Sequence, residues 1–178
     1  MVEKNLKSSR KLDIVNCLLE DPAQGMSKIA EKTSMHRRTA WQIQKELEKD
    51  TTIWGYTAVI DEQKLNRVIY VLQFQTKPFT KDFADLILKR LTAGEPMKAG
   101  VRILDIYFMN GSYDVFIKFS APDHATARRY YETLRGVYKD HFLETPLVSD
   151  VNFSLVQGGK LNPELKKLYD LVPKITTE

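Results

Sequence analysis

The chain has 178 residues, of which 43% are hydrophobic and 28% are charged, and its formal net charge is +4. This composition indicates a globular protein with enough apolar material for one ordinary domain or two small ones. The 27 basic and 23 acidic residues leave only a mild excess of positive charge, which permits a nucleic-acid partner without requiring one.

Several kinds of site are excluded by residue counts and spacing. Cys17 is the only cysteine, which excludes an intrachain disulfide and a multi-cysteine zinc site, and we interpret it as a small buried side chain. The three histidines are far apart, so they predict neither a metal site nor a catalytic set. The N-terminus is too polar for a secretory signal, and there is no run of about 18 apolar residues. We therefore expect a cytoplasmic protein that does not associate with membranes.

Three short helices are predicted in the first fifty residues, after a polar arm over residues 1–9. The first runs from Arg10 to Glu20, with an apolar stripe at Leu12, Val15, Leu18 and Leu19. The second covers Met26–Thr33 with Ser27 as its N-cap, and the third ends at Asp50. Ala40, Ile43 and Leu47 are spaced as one buried face of that third helix. The short connection between the last two helices is typical of a helix-turn-helix.

Cationic and amide side chains gather at the start of the third helix. Between Ser34 and Lys45 there are three cations and no carboxylate, as in a helix that enters the DNA major groove. Arg37, Arg38, Thr39 and Gln42 are our candidates for contacts to base edges, and Lys28, Lys32 and Lys45 are our candidates for phosphates. The alternative is an ordinary solvated helix face. We interpret Trp41 and Trp54 as packing residues rather than stacking groups.

The segments after the third helix predict strands, a polar linker and a second domain. Thr51–Ile60 is rich in β-branched and aromatic residues and predicts strands, and residues 61–67 form the linker. The order from Val68 is then β-α-β-β-α-β. The predicted strands are Val68–Gln75, Arg102–Met109, Tyr113–Phe119 and Asp150–Val156, with helices near 83–91 and over Asp123–His141.

The sequence thus predicts an α+β protein in which an N-terminal helix-turn-helix, winged-helix-like domain (residues 1–60) is joined to a C-terminal ferredoxin-like βαββαβ domain (residues 68–157). Both faces of its strands carry apolar residues, so the face without helices needs a cover, and we expect a homodimer or larger homo-oligomer through residues 68–157. Residues 158–178 form a tail with a short helix that Asn162 caps.

Several short motifs together resemble the Lrp/AsnC family of transcription regulators over residues 10–157. They are Leu12-Asp13-Ile14, Ser27-x-Ile29-Ala30, Leu47-Glu48, Ile53-x-Gly55-Tyr56-x-Ala58 and Asn110-Gly111-Ser112-Tyr113-Asp114. The resemblance implies a sequence-specific DNA-binding regulator with double-stranded DNA as its partner. It also implies an amino acid or related small molecule as effector, bound near the glycine hairpin, with Gly111, Ser112 and Asp114 as candidate contacts. The alternative is that Asn110-Gly111 only forms the turn and Asp114 holds a loop.

The chain also departs from the family pattern. The usual glycine and serine before the recognition helix match Ser34 and His36, and another common glycine matches Thr51. Two rival functions remain: a tetrapyrrole (sirohaem-type) decarboxylase, which resembles this fold, and a weakly specific architectural DNA-binding protein. The segment 101–119 offers only Arg102 and Lys118 for an enzyme site, so we expect no enzymatic activity and no cofactor.

Overall fold

The computed structural model of the protein describes residues 2–173, with side chains from Ser8 onward. The chain divides into two compact units. One reaches to Val59 and also includes Gly158–Lys160, and the other comprises Ile60–Gln157 and the chain from Leu161 onward. None of the helices in the described residues is both long enough and apolar enough to cross a membrane.

Three helices form the N-terminal unit: α1 (Val2–Glu20), α2 (Met26–Lys32) and α3 (Arg37–Lys49). The predicted face of α3 is confirmed, because Ala40, Ile43 and Leu47 are all buried against the other two helices. Helix α1 differs from the prediction in two respects. It is already helical at Val2, where we expected a polar arm, and it buries Ile14, Cys17 and Leu18 while Leu12 and Leu19 are exposed.

Residues 51–60 do not form the expected strands, since the structure assigns no strand there. β-Branched and aromatic residues favour a strand only when a neighbouring segment accepts their backbone hydrogen bonds. This segment is fastened by side chains instead. The Tyr56 hydroxyl lies 3.0 Å from Glu48 Oε1 and 2.7 Å from Gln44 Nε2, which attaches it to α3.

The C-terminal unit has the predicted ferredoxin-like βαββαβ order, with one additional short helix, α5. Its elements are β1 (Val68–Phe74), α4 (Lys81–Thr92), α5 (Glu95–Lys98), β2 (Arg102–Phe108), β3 (Val115–Ala121), α6 (His124–Tyr138) and β4 (Leu147–Asp150). The antiparallel sheet has the order β2-β3-β1-β4. Side-chain caps begin both long helices: Thr80 accepts the Phe83 N–H for α4, and Asp123 accepts the Thr126 N–H for α6.

The last strand was predicted too late in the sequence. Residues 147–150 pair with β1, and all four are exposed, so this edge strand lacks the alternation that marks a half-buried strand. A two-stranded ribbon follows, β5 (Val156–Gln157) and β6 (Lys160–Leu161). Asn162 does accept the Glu164 N–H at 2.8 Å, although the turn that follows is a 3-10 helix over Leu165–Leu171.

One face of the sheet packs against α4 and α6. This core contains Tyr70, Leu72 and Phe74 of β1, with Ile117 and Phe119 of β3. The open face is mixed, whereas we expected it to be apolar. In one row across the strands Tyr107, Phe116, Gln73 and Leu147 are neighbours, and in the next row Asp105, Lys118, Val71 and Ser149 are neighbours.

Candidate nucleic-acid interface

The turn between α2 and α3 is built without glycine. Ser34 has φ +52°, a left-handed conformation that usually falls to glycine at this place in a helix C-terminus. Its N–H donates to Glu31 O at 3.2 Å, and the Met35 N–H donates to Ala30 O at 2.9 Å. These two bonds are those of a Schellman motif, so the chain keeps the motif's backbone at the position where the resemblance expects glycine.

At the end of α3, a residue other than glycine again adopts the left-handed conformation. Thr51 has φ +60°, and its N–H donates to Glu48 O at 3.3 Å. Asp50 then fixes the exit of the chain, because its Oδ1 accepts from both the N–H and the hydroxyl of Thr52. These two bonds, together with the Lys11 ammonium at 3.1 Å, hold the pKa of the Asp50 carboxyl below its usual range.

Helix α3 begins at Arg37, and the side chain of the N-cap residue His36 makes no capping hydrogen bond. With the buried stripe facing α1 and α2, the 3.6-residue period places Arg38, Gln42 and Lys45 on the opposite side of α3. All three are exposed, as is Arg37, which lies at the margin of this side, while Thr39 is half-buried. Of the candidate DNA contacts on α3, Thr39 is therefore partly buried, and the four that are exposed to solvent are Arg37, Arg38, Gln42 and Lys45.

Trp41 is the residue at this surface that sequence reasoning placed wrongly. It is 51% exposed, so it does not pack into the helix bundle as we had interpreted it, and Trp54, which we had also interpreted as a packing residue, is 96% exposed. The position of Trp41 within the helical repeat already indicated its exposure. It is three residues from Arg38 and four from Lys45, which puts it among the cations rather than on the stripe of Ala40, Ile43 and Leu47.

The lysines that are candidate phosphate contacts differ in whether they form ion pairs with carboxylates. The ammonium of Lys32 lies 2.6 Å from Glu20, and that of Lys45 lies 2.6 Å from Glu48. Each carboxylate raises the pKa of its lysine, and each lysine in turn lowers the pKa of its carboxylate. Lys28 is exposed and, within residues 8–173, makes no ion pair. The same holds for Arg37 and Arg38 among the side chains that the structure describes.

The candidate effector residues lie in the hairpin between β2 and β3, where Gly111 and Ser112 are exposed. Asp114 is engaged in the fold, since its Oδ2 accepts the Thr76 N–H at 2.7 Å. The Ser112 carbonyl accepts from the Gln75 side chain at 2.8 Å. The hairpin is therefore fastened to the end of β1. This is the arrangement expected if Asp114 holds a loop, and it leaves Gly111 and Ser112 accessible.

Comparison with solved structures identifies the architecture. An AsnC family transcriptional regulator from Agrobacterium tumefaciens has a TM-score of 0.63 at 18% identity, over 86% of this chain and 95% of that one. The leucine response regulatory protein LrpA of Mycobacterium tuberculosis has a TM-score of 0.66 at 12% identity, over 84% and 94%. The chain has the fold of the Lrp/AsnC regulators. The resemblance found in the sequence motifs is thereby confirmed at the level of the fold.

A third structure with the Lrp/AsnC fold contains a small molecule. It is the transcriptional regulator NMB0573 of Neisseria meningitidis in complex with L-Met, with a TM-score of 0.60 at 13% identity, over 83% of this chain and 91% of that one. No protein-family model and no curated protein sequence matches the chain. The likeness to the Lrp/AsnC regulators is therefore one of fold, carried at low sequence identity.

Proposed function

We propose that this protein is a sequence-specific DNA-binding transcription regulator of the Lrp/AsnC type that acts as a homodimer or larger homo-oligomer. The observation that carries the proposal is the exposed face of α3, in a chain with the fold of such regulators. Arg38 and Gln42 stand opposite the buried stripe of that helix, where a major groove would meet them. Arginine suits the acceptors of guanine, and glutamine suits adenine.

In the proposal, each of the two units of the chain has a separate role. In the proposal the N-terminal unit contacts DNA, and the domain over residues 68–157 pairs the protomers through the open sheet face. Pairing would present two α3 helices to one roughly palindromic site, with half-sites about one helical turn apart. Tyr107, Phe116 and Leu147 supply apolar contacts for this pairing, and Asp105 and Lys118, neighbours on the same face, would favour a register in which each meets the opposite charge of the second protomer.

Ion pairing divides the phosphate candidates into two groups. Lys32 and Lys45 must exchange a carboxylate partner for a phosphate, whereas Lys28 need not. Replacing Lys28 by alanine should therefore weaken DNA binding more than the same change at Lys32 or Lys45. All three changes should act alike on every DNA sequence, because phosphates carry no sequence information directly.

An amino acid or related small molecule is the effector in this proposal, with Gly111 and Ser112 in contact with it. Support comes from the exposure of both residues and from the L-Met complex of the Neisseria regulator. The effector proposal is tested by measuring the melting temperature of the full chain in the presence of each member of a panel of L-amino acids. Ser112→Tyr, which fills the hairpin surface, should abolish a stabilisation that Thr133→Tyr, at an exposed position on α6, leaves intact. An effector whose stabilisation survives Ser112→Tyr would place the site elsewhere.

The DNA-binding proposal is tested by selection from a random duplex pool at near-physiological salt. A regulator of this kind should enrich one two-fold related sequence, and Arg38→Ala should lose that enrichment while keeping salt-sensitive binding. Enrichment of no sequence, together with equal salt-sensitive binding to all duplexes, would favour the weakly specific architectural alternative. Absence of binding to any duplex would refute both.

A further inference from the structure

A small cavity lies inside the C-terminal unit, between the sheet and its two long helices. Its volume is about 50 Å³. The walls are almost entirely apolar, with Phe74, Phe83, Ile106 and Leu134 among them. Leu91 and Phe108 also line it and remain 41% and 54% exposed, so the cavity opens to solvent beside them. It is separate from the α3 surface and does not include the hairpin residues Gly111 and Ser112.

Two buried phenols line this cavity without a protein partner for their hydroxyls. Tyr130 is 5% exposed and Tyr138 is 9% exposed, and neither hydroxyl makes a hydrogen bond within the described part of the chain. Neither hydroxyl oxygen is among the fully buried unpaired atoms of the described residues, so both remain accessible and free to donate to an occupant with polar atoms. Burial raises the pKa of Tyr130, which keeps its phenol protonated and able to donate.

Arg90 of α4 supplies the only charge in the lining. Its guanidinium lies 5.8 Å from the centre of the Tyr138 ring and donates to Glu95 at 2.8 Å from one nitrogen. A guanidinium has five N–H donors, so donors remain after this ion pair. No carboxylate is among the lining residues, so an ammonium group inside the cavity would lack a counter-charge.

We propose that this cavity binds a short-chain aliphatic monocarboxylate, with its carboxylate at Arg90 and the two phenols and its carbon body among the apolar side chains. Size sets the chain length. A water molecule needs roughly 10–15 Å³ of cavity volume, so the cavity holds about three to five heavy atoms. A branched body of three carbons fits that space, with the carboxylate at the rim beside Arg90. The missing counter-charge for an ammonium distinguishes this occupant from an amino acid.

Isobutyrate is the probe, and isobutanol and isobutylamine are the matched neutral and cationic compounds. Isothermal titration of the full-length protein should show saturable binding of isobutyrate that is at least tenfold tighter than that of either compound. Tyr130→Phe removes one hydroxyl and keeps the ring, and it should weaken isobutyrate binding several-fold. Arg90→Gln should weaken it at least tenfold. Arg135→Gln on α6, whose side chain is half-exposed and pairs with Glu132, should leave binding unchanged.

The contrary outcomes are equally clear. Absence of saturable isobutyrate binding to the wild-type chain would overturn the proposal and leave a cavity that holds only water. Equal affinity for isobutyrate and isobutanol would also overturn it, because Arg90 would then contribute nothing. If Arg90→Gln fails to fold, Tyr130→Phe decides, since it preserves the shape of the core. Unchanged isobutyrate affinity in folded Tyr130→Phe would contradict the assigned site.

Discussion

At the scale of single residues, Ser34 and Thr51 hold a left-handed backbone that glycine adopts without strain. In that conformation a residue with a Cβ is strained by roughly 1–2 kcal/mol, and replacing it by glycine removes this strain. Glycine also gives the unfolded chain more conformational freedom, which offsets part of the stabilisation. We therefore predict that Ser34→Gly and Thr51→Gly each stabilise the N-terminal unit by about 0.5–1 kcal/mol. Urea unfolding followed by tryptophan fluorescence measures this directly, because both tryptophans belong to that unit.

Thr52→Gly is the matched control, since Thr52 is adjacent and is not among the residues with positive φ. This change should destabilise the unit, because it adds freedom to the unfolded chain and removes the hydroxyl that Asp50 accepts. Destabilisation by Ser34→Gly would show that the serine side chain makes contacts that outweigh its backbone strain.

Glu48 makes a second prediction, about pH. The Lys45 ammonium, with donors from Tyr56 and Gln44, lowers the pKa of Glu48 from its ordinary value of 4.5. Because the folded state favours the deprotonated form, this stabilisation is present above pH 4.5 and is lost as pH falls through the lower pKa. Glu48→Gln should therefore reduce stability at neutral pH and approach the wild type in acid, below the lowered pKa of Glu48. Urea midpoints across this range test it, and a constant difference would exclude the charge as its source.

At the scale of elements, α3 combines base-reading and phosphate-contacting residues that mutation should separate. We predict that Arg38→Ala costs about 1–3 kcal/mol at the preferred DNA site and little on unrelated DNA. Lys28→Ala should weaken binding to the preferred site and to unrelated DNA alike. It should also reduce the slope of log affinity against log salt concentration by about one. Fluorescence anisotropy on both DNAs at two salt concentrations measures the difference. Equal losses for Arg38→Ala on both DNAs would assign it to phosphate.

The end of α1 depends on a lysine far along the chain. The Lys160 ammonium donates to the carbonyls of Leu19, at 2.7 Å, and Glu20, which are orphaned at the helix terminus. A cation at a helix C-terminus is favourable by about 0.3–1 kcal/mol at low salt. Lys160→Ala should destabilise the N-terminal unit by that amount, and Lys166→Ala, a matched change in the same tail, should have no effect. An equal effect of both would refute the specific contact.

How far the sequence predicts these elements depends on what each one contacts. The face of α3 was predictable because Ala40, Ile43 and Leu47 repeat with the period of the helix, and the phase of Trp41 was there to be read. The expected strands over residues 51–60 were wrong because strand formation needs a partner segment that composition does not reveal. The contact of Lys160 with α1 spans about 140 residues, and no local pattern encodes it.

The candidate site was predictable to a different degree at each residue. Exposed Arg37, Arg38 and Gln42 follow from the same phase as the buried stripe. The ion pairs of Lys32 and Lys45 separate them from Lys28, and the pair with Glu20 joins two different helices, which a sequence pattern does not show. The hydrogen bond from the Thr76 N–H to Asp114 is likewise a tertiary contact, and it binds a residue that we had assigned to an effector.

At the scale of the whole molecule, the open sheet face is the surface proposed for pairing of protomers. Phe116→Asp places a carboxylate in the middle of that face, and a two-fold interface would carry it twice. We predict that the dimer dissociation constant rises by at least about 100-fold, because an unpaired charge at an interface must be desolvated. Analytical ultracentrifugation measures it. Leu88→Asp on α4, at a position 60% exposed, is the control and should leave the assembly unchanged.

Loss of pairing should carry over to DNA. A monomer offers one α3 helix, so Phe116→Asp should weaken binding to a two-fold related site while sparing binding to one half-site. Unchanged affinity for the full site would show that protomers pair through another surface.

The most direct test of the central claim, that α3 reads DNA sequence, is an anisotropy competition between the selected duplex and a shuffled duplex of equal composition at near-physiological salt. We predict a preference of at least about tenfold, or ~1.4 kcal/mol, for the selected duplex, which Arg38→Ala abolishes and Leu88→Asp retains. Equal affinity for both duplexes, or a preference that survives Arg38→Ala together with Gln42→Ala, would contradict it.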